Sequence, residues 1–161
     1  MESMRASYYL EPGYIYFSKR PSTVRTVVGT CVAVCLWDKE LKYGGMNHFL
    51  QPSTSEQEKA TPKFGNVAVA ALVRIMEEAG CQKKNLVAQV LGGAIPPKSG
   101  VNSLGRQNVQ AARDMLARKG IRIAAEDVGG VIGRKIAFDT GTGQLAVLKV
   151  HELRDSDWVK Q

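Results

Sequence analysis

The chain has 161 residues, of which 44% are hydrophobic and 23% charged, with 16 Gly, 6 Pro and a formal net charge of +7. A single domain covering 1–161 is the expectation from that length, and the composition excludes collagen-like, low-complexity and disordered chains. The longest apolar runs, Cys31–Trp37 and Val67–Val73, fall far short of the roughly 20 residues a bilayer span needs, so no membrane insertion is expected. The first ten residues carry no charged start followed by an apolar stretch, which predicts a cytoplasmic protein rather than a secreted one.

In chain order, Tyr14–Phe17, Thr23–Val28, Cys31–Trp37 and Tyr43–Leu50 are short, rich in Val, Tyr and Thr, and bounded by Gly, Pro or Asp, as strands are. Gln51–Lys63, with Pro52, Pro62 and several charges, reads as a long exposed loop. Asn66–Ala79 sets Val69, Leu72, Val73 and Met76 at helical spacing, with Gly80 as the stop. Asn85–Leu91 is a strand leading into Gly92-Gly93-Ala94, and Ser103–Lys119 is a second helix with Gly120 as its left-handed cap. Ile121–Glu126, Val131–Asp139 and Gln144–Val150 return to strand, the last two joined by a Thr-Gly-Thr-Gly turn. Helices that arrive only after a run of strands predict a mixed sheet with helices on one face, not a doubly wound parallel sheet.

Three cysteines, Cys31, Cys35 and Cys81, are too few for a disulfide framework and are expected to be free thiols. The positive charge concentrates in 98–122, where six basic residues face one acid, Asp114. That stretch holds no aromatic residue, so nucleic acid is not the expected partner; a solvated helix face or contact with an acidic protein surface fits better.

The chemistry-bearing segment is Gly29-Thr30-Cys31-Val32-Ala33-Val34-Cys35-Leu36-Trp37-Asp38, followed by Gly44-Gly45-Met46-Asn47-His48-Phe49. If Lys39 and Glu40 form the centre of the turn between these strands, Trp37 faces Lys42, Cys35 faces Gly44, and Cys31 faces His48. A slip of one residue would undo that pairing, and Gly44-Gly45 could hold such a bulge. Beside an imidazolium, a thiol leaves its usual pKa of ~8.5 downward, so Cys31 is expected to be a nucleophile activated by His48. Gly29 permits a tight turn whose backbone N–H groups could stabilise an oxyanion. Thr26 on the incoming strand is the nearest group to orient the imidazole, with Thr30 and Asn47 behind it. Cys35 reads as core. Cys31, Cys35 and His48 could supply three zinc ligands, but Cys-x3-Cys is not the usual spacing and no fourth ligand is evident, so no metal is expected. Gly92-Gly93 lacks the Gly-Lys-Ser/Thr of a phosphate loop, and His151 reads as a surface residue.

The same two runs, extended through Leu50-Gln51-Pro52, resemble the signature of the CheD family of chemoreceptor glutamine deamidases. The resemblance continues through Gly92-Gly93-Ala94, Leu104–Val109, Ala125–Gly130 with Gly133-Arg134-Lys135, and Thr142-Gly143, in family order over about residues 10–150. It implies a single-domain α/β layered sandwich of mixed, largely antiparallel sheet with two main helices, similar to the catalytic domain of the deamidating necrotizing toxins. It also implies a Cys-His-Thr catalytic set, matched here to Cys31, His48 and Thr26, with no metal or cofactor. Because adjacent strand residues face opposite ways, an error of one position would put Arg25 where the hydroxyl belongs. Thr30 stands where the family commonly has serine and keeps the hydroxyl. The implied chemistry is conversion of receptor glutamines to glutamate through a Cys31 thioester. The implied partners are the helical cytoplasmic bundle of a methyl-accepting chemotaxis receptor and the phosphatase CheC. A non-catalytic adaptor that binds receptors or CheC, and a cysteine amidase of small molecules, are the alternatives.

Overall fold

The computed structural model describes residues 6–100 and 103–150, so His151 lies outside the described residues. The strands are β1 (Ala6–Tyr9), β2 (Ile15–Ser18), β3 (Ser22–Val28), β4 (Val32–Asp38), β5 (Gly44–Asn47), β6 (Leu86–Gly92), β7 (Arg122–Val128), β8 (Gly133–Asp139) and β9 (Leu145–Val150), with helices α1 (Gly65–Glu78) and α2 (Leu104–Lys119). They form two sheets, ordered β1-β3-β8-β9 and β2-β5-β4-β6-β7. The pairs β1–β3 and β6–β7 are parallel and the remainder antiparallel. The mixed, largely antiparallel α/β arrangement with two helices is therefore present. The β structure is divided between two sheets, where strand periodicity alone suggested one.

Alternation explains the layering. Val24 and Val28 of β3, with Ile136 and Phe138 of β8, meet Ala33 and Cys35 of β4 and Met46 of β5 in one cluster between the sheets. The opposite face of β4, Val32, Val34 and Leu36, packs on the helices. Covered on both sides, β4 reads as an uninterrupted apolar run rather than an alternating one, as doubly buried strands do. On α1 the buried stripe is Ala68, Val69, Leu72, Val73 and Met76, and on α2 it is Gly105, Asn108, Val109, Ala112 and Leu116. Both recur at the three- and four-residue spacing of a helix lying on a sheet. Gly120 closes α2 at φ 70°, the left-handed cap expected of it.

Strand β1 is an addition to the sequence expectation. Its Ala-Ser-Tyr-Tyr residues are mostly exposed at a sheet edge, so no burial pattern marks them. Its pairing with β3 nevertheless delivers Leu10, fully buried, to the layer between the sheets.

Residues 39–43 separate β4 from β5, and because Asp38 N donates to Tyr43 C=O (2.8 Å) the loop inside that pair has four residues, 39–42, rather than two. Asp38 Oδ1 accepts from the N–H groups of Glu40 (2.8 Å) and Leu41 (2.9 Å), and Lys42 adopts φ 62°. An Asp side chain that caps the backbone ahead of it lengthens the loop in this way. The partners are consequently Trp37 with Gly44, Cys35 with Met46, and Val32 with Phe49. The expected pairing of Cys31 with His48 is thus off by two residues; by continuation Ala33 lies across from His48. An even shift preserves faces, so Cys31 and His48 still project to the same side. Gly44 and Gly45 hold no bulge. They admit close neighbours on the two faces of β5: a Cβ at Gly44 would lie 2.8 Å from the Thr140 backbone, and one at Gly45 2.7 Å from Leu72.

Candidate active site

The chain leaves one sheet at Val28 and enters the other at Val32, and Gly29-Thr30-Cys31 is the crossing. Each carbonyl of this crossing is held. Gly29 C=O accepts from Ala94 N (2.8 Å), Thr30 C=O from Asn108 Nδ2 (2.9 Å), and Cys31 C=O from Gly93 N (2.8 Å). Gly92, at φ 108°, permits this approach, because a Cβ there would collide with the Cys31 carbonyl oxygen. The Gly92-Gly93 pair is thus a packing device under the cysteine.

His48 follows β5 and is fully buried. Its carbonyl accepts from Gly13 N at 2.7 Å. Its Nδ1 lies 2.7 Å from Thr26 Oγ1, and the same hydroxyl lies 2.8 Å from Leu10 C=O. A carbonyl can only accept, so the single hydroxyl proton of Thr26 goes to Leu10, and Thr26 accepts from Nδ1–H. That assigns the tautomer: Nε2 carries the lone pair. Nε2 is buried and has no hydrogen-bond partner. It is a bare base in the layer toward which Cys31 also packs.

Of the three groups considered for orienting the imidazole, Thr26 is the one in contact with it. Thr26 alternates with Val24 and Val28 on the inward face of β3, while Arg25 is exposed. Asn47 is engaged elsewhere, its Oδ1 accepting from Val34 N at 2.9 Å. Thr30 uses its carbonyl, not its hydroxyl, in the contact with Asn108. Cys35 is buried against Met46 and neighbouring apolar groups, with burial pushing its thiol up.

Burial also changes the expected charge state. It raises the Cys31 thiol to about 11, opposed in part by the residue's own backbone N–H, and lowers His48 to about 4. A buried imidazole that stays neutral cannot act as the expected imidazolium, so the resting pair is neutral thiol and neutral base. Among the described residues no group of three or more His, Cys, Asp or Glu side chains is placed to hold a metal ion.

Around the crossing, Arg134 is nearly fully buried and holds Asp127 (3.1 Å) and the Gly129 carbonyl (2.9 Å). Gly129 N in turn reaches the Gly92 carbonyl at 3.0 Å. Outside, Pro52–Ser55 and the outer face of α2, including Gln110, Asp114 and Arg118, border a groove of about 540 Å³. Arg106, Arg113 and Arg118 of α2 are exposed and Lys119 is half-buried, and Arg113 forms a two-pronged contact with Glu126 (2.8 and 2.9 Å). No helix among the described residues is long and apolar enough to cross a membrane.

Residues 50–149 match the family model described as CheD, chemotactic sensory transduction. A relative from Sulfurimonas denitrificans is 37% identical over 147 residues, covering 89% of this chain and 94% of its own. The chain belongs to the CheD family. A relative from Anaeromyxobacter dehalogenans is 44% identical over 141 residues, covering 86% of this chain and 82% of its own. One from Methanococcus vannielii is 33% identical over 146 residues, covering 89% and 95%. The Sulfurimonas and Methanococcus proteins bear the name "Probable chemoreceptor glutamine deamidase CheD", and the Anaeromyxobacter protein the same name numbered 1. The CheD match on the C-terminal two thirds does not include Cys31 or His48, whereas the three relatives' alignments span most of the chain.

Two features of this site carry no mark of reactivity in the sequence. One is Leu10, whose carbonyl fixes the Thr26 proton. The other is Asn108, a polar residue on the apolar stripe of α2, a position at which periodicity calls for a hydrophobe.

Proposed function

We propose that this CheD protein deamidates glutamine side chains of methyl-accepting chemotaxis receptors, with Cys31 as nucleophile, His48 as base and acid, and Thr26 orienting the imidazole. The observation that carries the reading is the chain Leu10 C=O, Thr26 hydroxyl, His48 Nδ1–H, which leaves an unpartnered Nε2 lone pair on the side of the sheet where Cys31 lies. The relatives' names supply the substrate class. Substrate binding brings Sγ and Nε2 together, since free enzymes commonly hold such pairs apart. His48 takes the thiol proton, and Sγ bonds to the carboxamide carbon while the carbonyl π pair moves to oxygen. That pair returns, the C–N bond breaks, and His48 hands its proton to the nitrogen, which leaves as ammonia. Water, deprotonated by His48, then attacks the thioester and releases glutamate and the thiol. Forming the thiolate only as the base takes its proton suits a thiol that burial keeps neutral.

The exposed basic side chains of α2 support docking on an acidic receptor bundle, and a complex with CheC belongs to the same proposal. So does the kinship of this layered sandwich with the deamidating toxin domain. The test is mass spectrometry of a receptor cytoplasmic fragment incubated with wild type or Cys31→Ala. Each target glutamine gains about one dalton with wild type and none with the variant, as a covalent nucleophile requires. Equal deamidation by Cys31→Ala overturns the mechanism; no deamidation by either leaves the adaptor reading.

A further inference from the structure

Asn108 is fully buried on the inner face of α2, and its Nδ2 donates to two carbonyls, Thr30 at 2.9 Å and Leu50 at 3.0 Å. Two acceptors on one nitrogen leave no freedom to exchange the amide's ends. The Oδ1 is buried without a hydrogen-bond partner. A residue kept only for packing would be better replaced by a hydrophobe, since an unmet buried acceptor is unfavourable. What Asn108 supplies is the donor.

The Thr30 carbonyl belongs to the peptide group whose other end is the Cys31 N–H. In a trans peptide the two point in opposite directions, so fixing the oxygen aims the N–H. That N–H faces the sulfur, where it acts on the thiol. A backbone donor beside the attacking sulfur is where catalysis through an oxyanion needs one. A hydrogen bond to the carbonyl also polarises the peptide and strengthens its N–H as a donor.

We infer that Asn108 is the positioning residue of the oxyanion hole, holding the Thr30–Cys31 peptide so that its N–H meets the oxygen of the tetrahedral intermediate. The inference rests on the deamidase reading above. Leu50 is the second anchor that keeps the carboxamide aimed. The carbonyls of Gly29 and Cys31, held by Ala94 and Gly93, steady the peptides on either side.

The test compares two reactions of the same sulfur. Deamidation passes through an oxyanion; alkylation of Cys31 by iodoacetamide, at a saturated carbon, does not. Asn108→Ala and Asn108→Asp are expected to lower kcat for deamidation of a receptor fragment by roughly 10- to 100-fold, somewhat less than loss of a direct donor. KM stays within about threefold, because binding is untouched, and the alkylation rate falls by about threefold at most, because the N–H only offsets part of the effect of burial on the thiol. An unchanged kcat, or kcat and alkylation falling by the same factor, overturns the inference. If both variants fail to fold, wild type decides. A receptor peptide with an aldehyde in place of the target carboxamide forms a tetrahedral adduct on Cys31, and the Cys31 amide proton should move downfield in the NMR spectrum. An amide that does not move overturns the inference. Loss of the deamidase reading is recognised separately, by Cys31→Ala deamidating as wild type does.

Discussion

Replacing Thr26 by valine keeps a β-branched side chain of nearly the same size on β3 and removes one hydroxyl. Two buried groups then lose their partner, the Leu10 carbonyl and the His48 Nδ1–H, at 2.8 and 2.7 Å in the native arrangement. All three residues are at most 1% exposed, so water does not compensate. An orphaned buried polar group costs about 1–3 kcal/mol, giving about 2–6 kcal/mol for the pair. For a chain of this size that is a fall in Tm of roughly 5–20 °C. Without an acceptor at Nδ1 nothing selects the tautomer with a bare Nε2, and kcat falls by about 10- to 100-fold, less than for loss of a charged orienting group. Thr26→Ser retains the hydroxyl and stays within about threefold of wild type in kcat. Urea titration gives the stability change, 15N NMR of the histidine side chains the tautomer, and mass spectrometry of a receptor fragment the rate. Thr26→Val with an unchanged kcat and a stability loss below about 0.5 kcal/mol would refute the assignment of the hydrogen-bond chain.

The depressed His48 value has a definite sign: above pH 6.5 the imidazole is neutral folded or unfolded, while between 6.5 and 4 only the unfolded chain takes up the proton. Wild type therefore loses stability as pH falls through that window, by about 3 kcal/mol more than His48→Gln, and parallel urea titrations of the two proteins at pH 7 and pH 4 would expose a wrong sign. Because burial raises Cys31 to about 11, its alkylation rate climbs about tenfold per pH unit from 7 to 10 without a plateau; a midpoint near 7 would mean a preformed thiolate. Gly92→Ala forces a side chain into a left-handed conformation and against the Cys31 carbonyl, so it lowers stability by about 1–3 kcal/mol or more and reduces kcat as well. Gly129→Ala, left-handed but with open space around its Cβ, serves as the control that pays the backbone strain and keeps its activity.

Local signals carried most of the elements. Short β-rich segments bounded by turn residues announced β2 to β5, and the stripes of α1 and α2 were readable at helical spacing to within a residue or two. The misses have local causes too. β1 is an exposed edge strand with no face to bury, and the β4–β5 register depended on whether Asp38 would cap the loop with its own carboxylate, a contact that spacing does not encode. The candidate residues stood out as reactive types in a distinctive run, yet which of them touches His48 depended on which residues of β3 face inward, Thr26 rather than Arg25, and on Asn47 being bonded to Val34 instead.

Periodicity and residue chemistry by themselves determined that this chain would make strands and two amphipathic helices, and that a thiol, an imidazole and a hydroxyl would lie within a short stretch of it. Only the packing of one sheet on the other decided that Thr26 touches His48, that Nε2 is left bare, and that both thiol and imidazole rest uncharged. The reason is physical. Pattern along a chain reports which groups avoid water, whereas the state of an ionisable group depends on what surrounds it from elements far away in sequence, here Leu10 beyond β1, whose carbonyl takes the Thr26 proton and so turns the hydroxyl's lone pair to His48.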